Sequence, residues 1–301
     1  MSESQLLPNE DDMRILSGAG LTLLVFICGT PRTAHADVNV LRVVGEAVHC
    51  MTGAQSCYVQ ADCPSGFGAI GGGISGDQIK IEASYSYFVG WLGTFRGARR
   101  EYGSGAHAIA RAFALCAAAI PGTSVQGPQT LCPTGQGSCS SVLSCPAGTN
   151  VISGGMSGQQ SEMESSSPFN NGAWQMKWYP DGEDFASTAL GSSIPYAACA
   201  DASVGMPVYV FGESTRCLHD GPSCQSTVSC PAGMVLVAGG FNGTQSKVES
   251  MAPYSAETWF VSWYPAGYEY GSSALAYGAA VGVCMPGTSN VDPIFANSFE
   301  T

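Results

Sequence analysis

Twelve cysteines recur in three sets of four, and that arithmetic constrains the chain more than any other feature. The sets are Cys50, Cys57, Cys63 and Cys116; Cys132, Cys139, Cys145 and Cys199; and Cys217, Cys224, Cys230 and Cys284. The gaps read x6, x5, x52, then x6, x5, x53 twice, an internal repeat with a period of 82 to 85 residues. A thirteenth, Cys28, closes an apolar run from Ile15 that follows Arg14 and leads to Ala34-His35-Ala36. That order reads as an export signal over 1–36, with cleavage expected after Ala36. Residues 1–12 are acidic and make an atypical start, for which Met13 is the alternative initiator. The run is too short to remain as a spanning helix, so no integral membrane segment is expected after its removal. The expected location is extracellular or periplasmic.

An even set of cysteines behind an export signal points to disulfides. Zinc is the rival, but gaps of six and five with no recurring histidine do not suit it, and neither metal nor cofactor is expected. Four cysteines allow three connectivities. The favoured one pairs first with second, a small clip, and third with fourth, a long staple. Closing a loop of about fifty residues contributes roughly 4 kcal/mol in the chain-entropy model. Units of about 70 residues need such help because their own cores are marginal.

Composition selects the element type. With 39 glycines and 11% charged residues in 301, helices are disfavoured and short strands joined by turns are favoured. The formal charge of −12 excludes a nucleic-acid partner, whose phosphates require clustered Lys and Arg. The expected fold is all-β: three tandem repeats of short antiparallel strands over 50–116, 132–199 and 217–284. They form either a pseudo-threefold prism or three small sandwiches, followed by a tail, 285–301.

Aligning the copies sorts the conspicuous motifs. "CPSGFGAIGGGISG" (63–76) matches "CPAGTNVISGGMSG" (145–158) and "CPAGMVLVAGGFNG" (230–243). Ser75 thus becomes Ser157 and then Asn242, which a nucleophile would not do. The last glycines, Gly76, Gly158 and Gly243, are expected in hairpin turns at positive φ. The paired glycines before them mark a bulge or a close approach of two backbones. Next, "IKIEAS", "SEMESS" and "SKVESM" place Glu82, Glu164 and Glu249 opposite Ile81, Met163 and Val248 in a strand. An acid kept in all three copies is either a solvated or turn-bonded carboxylate, or a ligand contact presented three times. Trp91, Trp174 and Trp259 follow, read either as core or as an aromatic platform for sugar rings. A second acidic column, Glu101, Asp184 and Glu269, precedes Tyr102, Phe185 and Tyr270 at a strand entrance.

These motifs resemble a repeat of secreted bacterial proteins: CP-x-G, V-x-x-GG, S-x-P near a tryptophan, and a closing A-x-x-x-C. The likeness covers 50–284 and implies export without naming an activity. The tail "VDPIFANSFET" resembles short IF-x-x-GF-E termini of exported Gram-negative proteins, with Ser298 where glycine is usual.

Catalytic signals are sparse. There is no G-x-S-x-G, H-E-x-x-H or phosphate-binding loop. His49, His107 and His219 occupy unrelated repeat positions. Only a carboxylate pair such as Glu82 with Glu101 suggests hydrolysis. The expectation is therefore a secreted, non-catalytic binding or surface protein presenting three similar units to a repetitive ligand, a glycan or cell-surface polymer. Its ligand contacts are expected at Glu82, Glu164, Glu249, Trp91, Trp174 and Trp259. The alternative is a secreted hydrolase of cell-wall or environmental polysaccharide.

Overall fold

Strands of alternating apolar and small residues need a partner on each edge, and in this chain each copy finds one of those partners in its neighbour. The structure is a computed structural model. It describes residues 38–289 apart from 52–55, 88, 99–101, 103–106, 119, 121, 136, 171, 186–189, 219–222 and 271–274, with backbone alone at 183, 268 and 269. The expected export signal, 1–36, lies outside the described residues, as does the tail beyond Ser289.

A leading strand, β1 (Val38–Val44), precedes the first copy. That copy contains β2 (Val48–Cys50), β3 (Cys57–Asp62), β4 (Gly68–Asp77), β5 (Ile79–Tyr87), β6 (Gly90–Gly97) and β7 (Ala108–Ala117). A linking strand, β8 (Gly122–Gln126), leads to β9 (Thr130–Pro133), β10 (Cys139–Ser144), β11 (Thr149–Gln159), β12 (Ser161–Asn170), β13 (Ala173–Pro180) and β14 (Leu190–Asp201). A second linker, β15 (Val208–Phe211), leads to β16 (Thr215–Cys217), β17 (Cys224–Ser229), β18 (Met234–Thr244), β19 (Ser246–Pro253), β20 (Thr258–Pro265) and β21 (Ala276–Ser289). Single helical turns, Gly182–Phe185 and Gly267–Tyr270, precede β14 and β21. The all-β class is as the composition required.

The strands make a seven-stranded sheet, β3-β6-β5-β11-β14-β8 with β9, and a fourteen-stranded one. The larger sheet is joined where β1 lies parallel to β21, with Val38 opposite Gly287, while β1 runs antiparallel to β7. Between copies, β5 pairs with β11 through Ser84 and Met156, β12 with β18 through Ser166 and Phe241, and β19 with β4 through Met251 and Ile74. The first copy thus pairs with the second, the second with the third, and the third with the first.

The crossing depends on one residue per copy. Asp77 ends β4 and Ile79 begins β5, yet these strands belong to different sheets. Gln78 alone carries the chain around the corner at φ 57°; Gln160 does the same at 50°, and Gln245, at 51°, turns between β18 and β19, two non-adjacent strands of the larger sheet. The expected hairpins at Gly76, Gly158 and Gly243 are therefore corrected. Those glycines end in strand, and the left-handed residue is a glutamine two positions later. A non-glycine in this region is strained, and repeated hydrogen bonds offset the strain. The Gln78, Gln160 and Gln245 carbonyls each accept from a backbone N–H at 2.8 Å, those of Ala98, Asp181 and Ala266. Their side-chain Oε1 atoms accept from the N–H groups of His107, Leu190 and Leu275 at 3.0, 3.3 and 3.0 Å.

The paired glycines have separate duties. A Cβ on Gly72, Gly154 or Gly239 would strike the indole of Trp91, Trp174 or Trp259 of the same copy, at 2.5, 2.3 and 2.1 Å. A Cβ on Gly73, Gly155 or Gly240 would strike the carbonyl of Met251, Ser84 or Ser166 of the adjoining copy, at 1.8, 1.9 and 2.3 Å. The close approach expected from the sequence is thus an approach between copies, and the first glycine of each pair seats the core tryptophan. Trp91, Trp174, Trp178, Trp259, Trp263 and Phe95 are among the largest fully buried side chains.

All six disulfides join first to second and third to fourth cysteines: Cys50–Cys57, Cys63–Cys116, Cys132–Cys139, Cys145–Cys199, Cys217–Cys224 and Cys230–Cys284. Such a set fits an oxidising compartment outside the cytoplasm. Among the described residues no helix is long and apolar enough to cross a membrane. Gly155→Ala is expected to destabilise the protein by about 2 kcal/mol or more, since a backbone carbonyl blocks the new methyl. Gly68→Ala, with no atom within 4 Å of its Cβ position, should stay within about 0.5 kcal/mol of wild type. Urea midpoints of the two variants check both values.

Candidate functional site

The three repeated acids are internal. Glu82, Glu164 and Glu249 are 2%, 2% and 4% exposed, so a polymer in solution cannot reach them. The pairing register shifts between Ile81 and Ala83, Met163 and Ser165, and Val248 and Ser250. Each glutamate is therefore the extra residue of a β-bulge, and strict alternation fails there. At Glu164 and Glu249 the carboxylate bonds to the adjoining copy. Glu249 Oε1 accepts from the Gln78 N–H at 3.0 Å, and Glu164 Oε1 from the Gln245 N–H at 2.8 Å. Glu249 also accepts from the Tyr102 hydroxyl at 2.9 Å and from Ser262 at 3.2 Å. Burial raises its carboxyl above the usual range, and these donors offset part of the rise. Glu82 accepts instead from Ser56 at 2.6 Å and pairs with Arg96 at 2.8 Å. Glu164 and Glu249 thus brace corners of the adjoining copy. Trp91, Trp174 and Trp259 are 1% exposed or less, which corrects the sugar-platform expectation as well. Their indoles lie against the glycine pairs, and Trp91 and Trp174 donate to Ser84 and Ser166 at 2.9 Å.

The second acidic column falls only partly within the described residues. Glu101 and the Glu269 side chain lie outside them, as does His219. Asp184 sits on the helical turn before β14. Its carboxylate is 3.2 Å from Lys80 and 3.9 Å from Arg96. Tyr102, Phe185 and Tyr270 pack on Tyr264, Arg96 and Tyr179, one copy on the next: ring centroids at 6.5 Å and 5.8 Å for the tyrosine pairs, and the guanidinium 4.2 Å from the Phe185 centroid.

A buried charge cluster was not anticipated. Lys80, Glu162 and Lys247 occupy one repeat position, two residues before the bulge. They meet with Glu162 Oε1 and Oε2 each 2.8 Å from an ammonium nitrogen, all three side chains 1% exposed. Asp181, fully buried, lies 3.4 Å from Lys80. Burial alone would raise the Glu162 carboxyl; Lys247 and Lys80 outweigh it and hold the group down to about 2. Burial and the neighbouring Glu162 push Asp181 up to about 8 against the pull of Lys80. The only advance signal was Lys, Glu and Lys at one repeat position, which alternation alone places on the same strand face as the repeated glutamates. The cluster is closed to solvent and serves as an internal electrostatic lock.

The accessible site lies elsewhere. A cleft of about 630 Å³ opens between the first and second copies. β4 and β7 supply Gly68, Ala69, Ile70 and Ala117; β5 and β6 supply Tyr85, Ser86, Tyr87 and Leu92. β8, β11 and β14 close it with Thr123, Ser124, Gln126, Ile152 and Tyr196. Tyr85 of the first copy and Tyr196 of the second stack directly on each other in its lining, with centroids 4.6 Å apart and planes 17° from parallel. At the rim Tyr87 donates to Asp62 at 2.6 Å, and Gln60 bonds to both. This volume is in the usual range for small-molecule sites.

The other two junctions are filled at the corresponding place. Pairing register sets Ser124, opposite Ala198, in line with Tyr209, opposite Val283, and Arg42, opposite Leu115. Tyr209 reaches the Val151 carbonyl at 2.8 Å, where the first junction has Ala69. Arg42 lies 4.9 Å from the Phe113 centroid and donates to the Tyr254 carbonyl at 3.1 Å, the positions of Tyr196 and Tyr87. Serine at 124 leaves the first junction open. The stacked pair is peculiar to it too, because Tyr85 is replaced by Ser167 and Ala252, and Tyr196 by Val281 and Phe113. Comparison with known proteins found no matching family and no similar curated sequence.

Two outcomes are expected from the buried groups. Glu249→Ala should cost about 1–3 kcal/mol by stranding the Gln78 N–H and the Tyr102 hydroxyl, read from chemical denaturation. Glu162→Gln should cost about 3–5 kcal/mol at pH 7, since the buried carboxylate shared by Lys80 and Lys247 loses its charge. Because Glu162 is held below its unfolded value of 4.5, its stabilisation is complete above that pH. It is lost as the pH falls toward about 2, which wild-type unfolding curves between these values should show.

Proposed function

We propose that this is an exported, non-catalytic binding protein that holds a glycan in the cleft between its first and second copies. The carrying observation is that this junction alone combines a stacked tyrosine pair with a serine where the other two junctions carry a filling side chain. An aromatic floor with hydroxyl and amide groups at the edge suits a sugar, which offers an apolar ring face and equatorial hydroxyls. In this reading the three copies form a pseudo-threefold prism, supported by the circuit of pairings from each copy to the next. The prism is the rigid frame and the first junction the specialised one. Three equivalent ligand contacts are not part of the proposal, because the residues that would have made them are internal.

Hydrolysis is the weaker reading. A glycosidase needs two accessible carboxyl groups flanking the bond. Among the described lining residues of the cleft there is no carboxylate, and Glu82 and Asp184 share the guanidinium of Arg96 instead. The test is a glycan array probed with mature protein, together with a reducing-end assay on whichever glycans bind. Retention without release of reducing sugar is expected. Release at enzymatic rates would reverse the choice between the two readings.

A further inference from the structure

The geometry points to an uncharged glycan segment, bound once per chain, as the occupant of the cleft; this rests on the binding reading above and makes it specific. Among the described lining residues none carries a formal charge at neutral pH, although the chain has a net charge of −12. A uronate, sulfate or phosphate group would leave water for walls of Ile70, Leu92 and Ile152 with no guanidinium or ammonium to meet it, which is costly. A purely apolar ligand would strand the hydroxyls and amide of Ser86, Ser124 and Gln126. A neutral pyranose chain satisfies both sets: its ring faces lie on the tyrosines and its hydroxyls exchange hydrogen bonds with those side chains.

The protein itself supplies the control. At the other junctions the position of Ser124 carries Tyr209 or Arg42, and each reaches residues equivalent to the cleft lining. Ser124→Tyr and Ser124→Arg therefore install side chains that this fold already accommodates at that point. One site per chain follows, because among the described residues Tyr209 and Arg42 occupy this position at the other two junctions.

The experiment is titration calorimetry of the mature protein with two panels, neutral gluco-, manno- and galacto-oligosaccharides and oligomers of uronic acids. Expected are binding by one or more neutral oligomers at one site per chain, and weakening of roughly tenfold or more in Tyr85→Ala. Loss of binding is expected in both Ser124 variants, with melting temperatures unchanged. The inference is overturned if uronic acid oligomers bind as well as neutral ones, if three sites are found, or if folded Ser124→Tyr and Ser124→Arg bind like wild type; each of these leaves the broader binding reading standing. If neither panel binds, that reading falls with the inference.

Discussion

The structure depends on a corner made by a single residue. Gln78 and Gln160 carry the chain from one sheet into the other, and Gln245 turns it between two distant strands of the larger sheet, each in a backbone conformation that side chains rarely adopt. That turn is stable only because its carbonyl, its side-chain oxygen and, at two of the three corners, its amide hydrogen are all bonded. The amide partner is a bulged glutamate from the adjoining copy. A copy by itself would lose that partner, so corner and neighbour depend on each other. The glycine pairs extend the dependence, since the second glycine of each pair exists to let the neighbour's carbonyl approach.

A protein built this way brings one repeat position of all three copies together in its interior. Three identical charges there would repel in a medium that screens poorly. Lys80, Glu162 and Lys247 show the solution, in which one copy has diverged to carry the opposite sign. A second divergence accompanies it: Arg96 stands where the other copies have Tyr179 and Tyr264, and it neutralises Glu82, which at its corner has no tyrosine hydroxyl to bind. Both departures from repetition are structural compensations.

The cleft is a third departure, and it compensates for nothing. Filling it would need only one of the side chains that the other linkers already use. Instead the first linker has Ser124, and the facing strands have gained Tyr85 and Tyr196. Repetition supplied the frame, and loss of repetition at one junction supplied the accessible surface. Function in a repeat protein is therefore better sought where the copies differ than where they agree. The acids and tryptophans shared by all three copies turned out to be scaffold for that reason.

The sequence by itself determined the strand content, the three copies and the six disulfides. These follow from glycine content, from a fixed period, and from spacings that leave few connectivities, all of which are local or countable. It also marked the glycine pairs as points of close approach. It could not say that the approach is between copies, or that a bulge at Glu82, Glu164 and Glu249 turns an outward-facing acid inward. A one-residue register shift reverses every side chain beyond it, and only the pairing partner reveals it. The central charges and the cleft were decided by tertiary structure alone. Each joins residues far apart in the chain, such as Lys80 with Lys247 and Tyr85 with Tyr196, and their meeting is set by the circuit of pairings between copies.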